Sequence, residues 1–300
     1  MTQEGADAPG RDVPGRDVPG RDVPGRDGRA PETAFVLGGG GVLGAHEVGM
    51  LRALDEAGVR PGLVVGTSVG ALNGAVIAAD PAQAVARLTG LWRSDIVRTA
   101  FAGSWAARLS TLAKTRTHLH PNEPLRGVLR ETVPAARIEE LAVPFQCVAA
   151  SVERAAAHWF SSGPLVDAVL ASCAVPGLLP PVVIGGEHFY DGGLVHSIPI
   201  GRAVQLGAKR VYVLHVGRIE RPLSPPRRFW EVGMVAFEIA RRHRFAEDLA
   251  TLPPGVEVHV MPSGVTTPAS PLRYRDGSQV AACIDRAYQA SSRYLRERGG

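Results

Sequence analysis

The chain has 300 residues, 45% of them hydrophobic and 21% charged, an ordinary globular composition with enough apolar material for one sizeable core. Its 33 basic and 29 acidic residues leave a formal charge of +4, and an excess this small, dispersed and almost wholly arginine points away from nucleic acid as a partner. Cys147, Cys173 and Cys283 are widely spaced, form no C-x-x-C pair and read as buried free thiols, which excludes a disulfide-stapled secreted scaffold.

The N-terminus carries acids and lacks the apolar core of a signal peptide. Residues 10–25 repeat Gly-Arg-Asp-Val-Pro three times, a unit with one apolar residue and a balanced charge pair. Such a unit buries too little surface to offset chain entropy, so residues 1–32 are expected to be a disordered tail. The domain opens at Thr33. Ala34 to Leu37 reads as a buried strand, followed by Gly38-Gly39-Gly40-Gly41 and a helix through Val48, Leu51 and Leu54 that stops with Gly58 at C′. A second strand is expected at 62–65, with a small apolar helix at 71–79. The apolar window 63–79 is interrupted by glycines and reads as buried strand plus helix, not a membrane span. The expected location is the cytoplasm, with at most peripheral contact to a membrane.

Residues 82–132 read as mostly helical. Strands follow at Phe145–Ala150 and around His158–Ser161, and a helix over Asp167–Cys173 stopped by Pro176. A hairpin is expected at 182–184 and 188–190 around Gly185-Gly186. Next come a helix at 199–206, a β run at 211–216, a helix at 229–250, a strand at 256–261 and a terminal helix at 278–298. Strands alternating with helices predict a three-layer α/β/α fold with a mostly parallel central sheet. Residues 33–216 form the expected main domain, and 217–300 a mainly helical extension packed on it.

Gly66-Thr67-Ser68-Val69-Gly70 is a G-x-S-x-G element between the second strand and the apolar helix. A sharp strand-to-helix turn lifts a serine Oγ clear of a sheet, and the flanking glycines Gly66 and Gly70 keep its approach open. The earlier glycine run leaves backbone N–H groups free at a helix N-terminus, a nest for negative charge. Phosphate and an oxyanion are both suitable occupants, and the serine favours the oxyanion. Gly39-x-Gly41-x-x-Gly44 also fits the dinucleotide fingerprint, but the next strand ends in the serine turn, where that fold needs a ribose-binding acid.

The serine needs a base. His215 and His259 lie late in the chain but inside expected strands, whereas a triad histidine normally sits on a loop after a strand. Asp191, in Tyr190-Asp191-Gly192-Gly193-Leu194, follows an aromatic strand and has space beside two glycines. A desolvated carboxylate can take a serine proton directly. In isolation the tripeptide equally fits a hairpin turn. His118 and His120 have no partner at metal-ligand spacing. His46, one turn into the first helix, fits a place flanking the site or the helix surface, and His196, five residues after Asp191, is near enough to approach the site but is assigned no role.

Gly39-Gly40-Gly41-Val42-Leu43-Gly44, Gly66-Thr67-Ser68-Val69-Gly70 and Asp191-Gly192-Gly193 stand in the order of the patatin-like phospholipases. The flanks 48–54, 71–74, 122–126 and 171–177 resemble that family too, over roughly residues 33–216. The resemblance implies a lipid acyl hydrolase with a Ser–Asp dyad, no metal, no cofactor and no catalytic histidine. Ser68 would attack the acyl carbonyl, Asp191 would take its proton, and the backbone at Gly39, Gly40, Gly41 and Val42 would form the oxyanion hole. Gly44, Gly66, Gly70, Gly192 and Gly193 are the motif glycines. The alternatives are a Ser–His–Asp carboxylesterase and an inactive lipid- or anion-binding module.

Leu43 departs from the pattern, since the family commonly has Arg or Lys there. The departure favours a neutral or monoacyl lipid ester over a diacyl phospholipid. Residues 91–119 mix Leu91, Trp92, Phe101, Trp105 and Leu109 with arginines, and 227–245 mix Phe229, Trp230, Met234 and Phe237 with more. Each fits an amphipathic helix capping the core, with a lipid surface as the other reading.

Overall fold

The computed structural model describes residues 31–94, 120–216, 222–227, 229–264 and 277–298. The repeats, and all of 91–119 beyond Ser94, lie outside them.

Five strands run parallel in the order β3 (Phe145–Ser151), β2 (Leu63–Thr67), β1 (Thr33–Leu37), β7 (Arg210–Leu214) and β8 (Glu257–Val260). On β3 the sheet turns antiparallel. β4 (Ala156–Phe160) takes one edge of β3 along Cys147–Ser151. The other edge is shared: β2 pairs with Phe145–Val148, and β6 (Glu187–Asp191) pairs with Ala149–Ser151 from the opposite direction. The hairpin partner β5 (Val182–Ile184) completes eight strands.

Alternation along β1 builds the layers. Phe35 and Leu37 enter one core with Val64, Tyr212 and Leu214, while Ala34 and Val36 enter a second with Leu63, Val65, Val211 and Val213. Helices α1 (Ala45–Glu56), α2 (Val69–Ala79), α3 (Ala84–Arg93), α4 (Glu123–Thr132) and α5 (Leu165–Cys173) contribute to the first core. Helices α6 (Ile200–Gln205) and α7 (Phe229–Ala250) cover the second. Buried side chains such as Phe35 and Leu54 each contribute about 1.5–3 kcal/mol relative to exposure. The mixed α/β class and mostly parallel sheet therefore match the expectation.

Some expected details shift. The last helix, α8 (Gly277–Arg298), packs on α1, and Gly49 has no side chain because its Cβ would strike the Ile284 carbonyl. β8 joins the main sheet, so the C-terminal part supplies a strand as well as helices. Helix α1 ends as read, with Gly58 at φ +74° after the Ala57 cap. β2 runs on through Thr67, two residues past the apolar run, because Gly66 and Thr67 still find partners on β3. β7 stops at Leu214, so His215 lies just past the strand rather than inside it. Trp92 is core, with its indole bonded inside the molecule, and does not face a lipid surface. The described chain begins in contact: Pro31 is buried, and the Glu32 carbonyl accepts the amides of Lys209 and Arg210.

Candidate active site

Ser68 sits between the end of β2 and the start of α2 with φ +56° and ψ −128°. That conformation costs a non-glycine residue about 1–3 kcal/mol, and it turns Oγ away from the helix axis. The turn is tight enough to need glycine on both sides. A Cβ on Gly66 would meet the Gly70 carbonyl at 2.5 Å, and one on Gly70 would strike the Leu37 carbonyl. The flanking glycines thus serve close backbone packing under the turn, a closer constraint than open approach to the serine.

The shared edge of β3 brings the second group in. Thr67 lies opposite Val148, and Asp191, arriving from the other direction, lies opposite Ala149. Ser68 Oγ donates to Asp191 Oδ2 at 2.6 Å. Asp191 Oδ1 accepts the Gly193 amide at 2.7 Å, and the Asp191 amide donates to the Ala174 carbonyl at 2.9 Å. The Ser68 amide donates to Ser172 Oγ at 2.9 Å. The end of α5 therefore pins both members of the pair, Ser68 through Ser172 and Asp191 through Ala174. Gly192 is glycine because a Cβ would collide with the Val148 carbonyl.

Burial pushes the Asp191 carboxyl up to about 6, against the opposing pull of its bonds to Ser68 and Gly193. At neutral pH it is ionised yet destabilised, which suits a proton acceptor.

The glycine loop faces this pair. Gly39 packs against Ser68, whose Cβ would lie 3.4 Å from a Gly39 Cβ. The Gly39 amide donates to the Ser197 carbonyl at 3.0 Å, so it is not free for a ligand. Among the described residues the amides of Gly40 and Gly41 have no backbone acceptor. Gly41 opens the 3-10 turn Gly41–Gly44 at φ +56°, where first-turn N–H groups have no acceptor within the turn.

A buried polar clamp that sequence reading missed fixes the turn. Asn73 Nδ2 donates to the Gly44 carbonyl at 3.1 Å and to Glu47 Oε2 at 2.8 Å, and Trp92 Nε1 donates to Asn73 Oδ1 at 2.9 Å. Burial holds the Glu47 carboxyl well above the usual carboxylate range, against the opposing pull of its bond from Asn73. Gly44 accommodates this contact, since a Cβ there would meet the Trp92 ring at 2.6 Å.

The late histidines bond to groups other than the Ser68–Asp191 pair. His215 Nε2 accepts from Arg241 Nη1 at 2.9 Å, and Arg241 is paired with Glu238. Burial, then the Arg241 and Arg242 cations, hold the imidazole well below its usual range. His259 stacks on Tyr212. His196 contributes its carbonyl, which accepts the Thr67 hydroxyl at 2.7 Å, and its ring lies against Trp159. His46 Nδ1 donates to the Leu43 carbonyl at 3.0 Å, and His120 is buried. Among the described residues no group of His, Cys, Asp and Glu is placed to hold a metal ion. All three cysteines are buried and unpaired.

A buried Ser–Asp pair thus lies at the end of a parallel sheet, beside a glycine loop whose Gly40 and Gly41 amides have no backbone acceptor among the described residues. The family model for patatin-like phospholipase matches residues 35–204, and the chain belongs to that family. Relatives include a lysophospholipase nte1 of Aspergillus terreus, 31% identical over 185 residues, and one of Emericella nidulans, 32% identical over 193. Those matches cover 62% and 64% of this chain but only 12% of each relative. Among solved structures, VipD from Legionella pneumophila has a TM-score of 0.44 at 14% identity, covering 89% of this chain and 67% of that one. The type III effector ExoU has a TM-score of 0.32 at 15% identity, covering 90% and 54%.

Proposed function

We propose that this chain hydrolyses fatty-acyl esters of lipids through an acyl-enzyme on Ser68. The observation that carries the reading is the 2.6 Å bond from Ser68 Oγ to a buried Asp191 whose affinity for a proton is raised. Asp191 Oδ2 takes the serine proton as Oγ attacks the acyl carbonyl, then returns it to the departing alcohol. The amides of Gly40, Gly41 and Val42 receive the oxyanion, and Gly39, whose own amide is committed to Ser197, sets the loop in place. Water then releases the fatty acid.

The substrate class we propose is a lysophospholipid or other monoacyl lipid. The nte1 relatives carry the name lysophospholipase, and Leu43 puts an aliphatic side chain, not a cation, beside the free amides. Val175 and Leu194, both exposed, flank the Asp191 segment and suit peripheral contact with a lipid surface. No described helix is long and apolar enough to cross a membrane.

The test is turnover of monoacyl and diacyl lipids, and of short p-nitrophenyl esters, by wild type, Ser68→Ala and Asp191→Ala. Loss of about 10³-fold or more in both variants is expected. Wild-type-like hydrolysis by either one overturns the dyad. Loss in Ser68→Ala and in His215→Gln with retained activity in Asp191→Ala would favour the histidine esterase.

A further inference from the structure

A second hydroxyl lies beside the nucleophile. Ser197 is 5% exposed, and its Oγ has no hydrogen-bond partner among the described residues. A buried unpaired hydroxyl costs about 1–3 kcal/mol, so its retention calls for a physical account. Its position supplies one. The point where a Gly39 Cβ would stand is 3.4 Å from Ser68 Cβ, 3.5 Å from Ser197 Oγ and 3.9 Å from the Thr67 carbonyl oxygen. The two serines thus approach the same bare Cα, and the lack of a side chain on Gly39 leaves polar atoms facing that spot.

The backbone fixes Ser197 there independently of its hydroxyl. Its carbonyl accepts the Gly39 amide, and the neighbouring His196 carbonyl accepts the Thr67 hydroxyl. The loop after Asp191 is therefore tied to both the glycine loop and the strand that carries the nucleophile. None of these bonds uses Ser197 Oγ.

We propose that Ser197 Oγ holds the water that deacylates Ser68, an assignment that rests on the acyl-enzyme reading above. Once the first alcohol has left, Asp191 is again a carboxylate. The water donates one O–H to Asp191 and the other to Ser197 Oγ, which turns an oxygen lone pair toward the acyl carbon. The new C–O bond forms as one proton passes to Asp191 Oδ2. The tetrahedral intermediate collapses with cleavage of the bond to Ser68 Oγ, and the proton returns to that oxygen. Atoms balance as one water consumed and one fatty acid released. Ser197 contacts the attacking water but gains and loses no proton.

The experiment separates acylation from deacylation in wild type, Ser197→Ala and Ser197→Thr. Rapid mixing with excess p-nitrophenyl butyrate gives the acylation rate, and mass spectrometry of the quenched protein follows decay of the Ser68 adduct. Ser197→Ala is expected to acylate within about twofold of wild type and to deacylate about tenfold more slowly, as loss of one hydrogen bond to a reacting group predicts. Ser197→Thr, which keeps the hydroxyl, is expected to restore decay. Unchanged decay in Ser197→Ala, or equal slowing of both steps, overturns the assignment while leaving the dyad intact. Absence of any Ser68 adduct in wild type overturns the acyl-enzyme reading and this assignment with it.

Discussion

Thr67 and Asp191 occupy consecutive positions along one edge of β3, Thr67 opposite Val148 and Asp191 opposite Ala149. They arrive from opposite directions, one at the end of parallel β2 and the other at the end of antiparallel β6. The residue after Thr67 must then meet the Asp191 side chain, and Ser68 Oγ does so at 2.6 Å. Sheet register, more than any loop, sets the distance between Ser68 and Asp191.

The proposed base predicts that activity depends on pH in one direction. Asp191 accepts a proton only when ionised, and its carboxyl is raised to about 6. Below that point kcat/KM should fall by about tenfold per pH unit, with a plateau above it and no second limb from a histidine. A pH profile with a short ester checks this, and a midpoint near 4 would contradict the buried base.

Stability carries the same signature with opposite sign. Burial raises Asp191 from 3.8 to about 6, so the ionised form costs folding free energy above about pH 6, and the cost vanishes below 3.8. Asp191→Asn removes the charge while keeping an acceptor for the Gly193 amide. It should be inactive yet more stable than wild type by about 2 kcal/mol at pH 8. The gap should close between pH 6 and 4 in denaturant titrations. A variant less stable at pH 8 would show that the charge is not strained.

The elbow predicts an ordering of two dead enzymes. Ser68 at φ +56° strains any side-chain-bearing residue, and Ser68→Ala retains that strain. Ser68→Gly relieves it and should unfold at higher temperature than Ser68→Ala, by about 1 kcal/mol after allowing for glycine's entropy in the unfolded chain. Thermal melts of the two purified variants decide it.

The parts legible in the sequence are those carried by one short segment. The serine turn, the glycine loop and the Asp-Gly-Gly tripeptide each need particular residues at fixed spacing, because glycine alone tolerates the backbone contacts at Gly66, Gly70 and Gly192. The inner parallel strands β1, β2 and β3 showed as largely apolar runs because both of their faces are buried, whereas the edge strand β8 exposes Glu257 and Val260. Ser172 and Asn73 were not legible as site residues. Each acts on a partner far along the chain, as Ser172 does on the Ser68 amide across 104 residues. Serine and asparagine carry no periodicity that marks such a meeting. The end of β2 is not visible in the sequence because Gly66 and Thr67 have no apolar signal, yet pairing with Cys147 and Val148 carries the strand through them.

The clamp behind the glycine loop should be rigid and costly to open. Trp92→Phe removes the donor to Asn73 Oδ1 and leaves that oxygen buried without its partner. The expected loss is about 1–3 kcal/mol of stability. Because Asn73 also holds the Gly44 carbonyl, kcat should fall more than KM rises. A variant with wild-type stability and kcat would remove the clamp from the account of the loop.

Leu43 makes substrate preference testable at a single position. Its amide donates to the Gly40 carbonyl and its own carbonyl contacts His46 Nδ1, so the backbone here is held independently of the side chain. Leu43→Arg should therefore leave the loop intact while adding a cation close to the free amides. A charge about 6 Å from a substrate phosphate, at an effective dielectric of about 20, is worth about 3 kcal/mol before screening. Exposure and salt reduce that, and a shift of about tenfold in the kcat/KM ratio toward phosphate-bearing lipids over a neutral monoacylglycerol is expected. The shift should shrink as salt rises from 50 to about 500 mM, because the added term is electrostatic. An unchanged ratio at low salt would place the head group away from Leu43, on the side of the pair bounded by Val175 and Leu194.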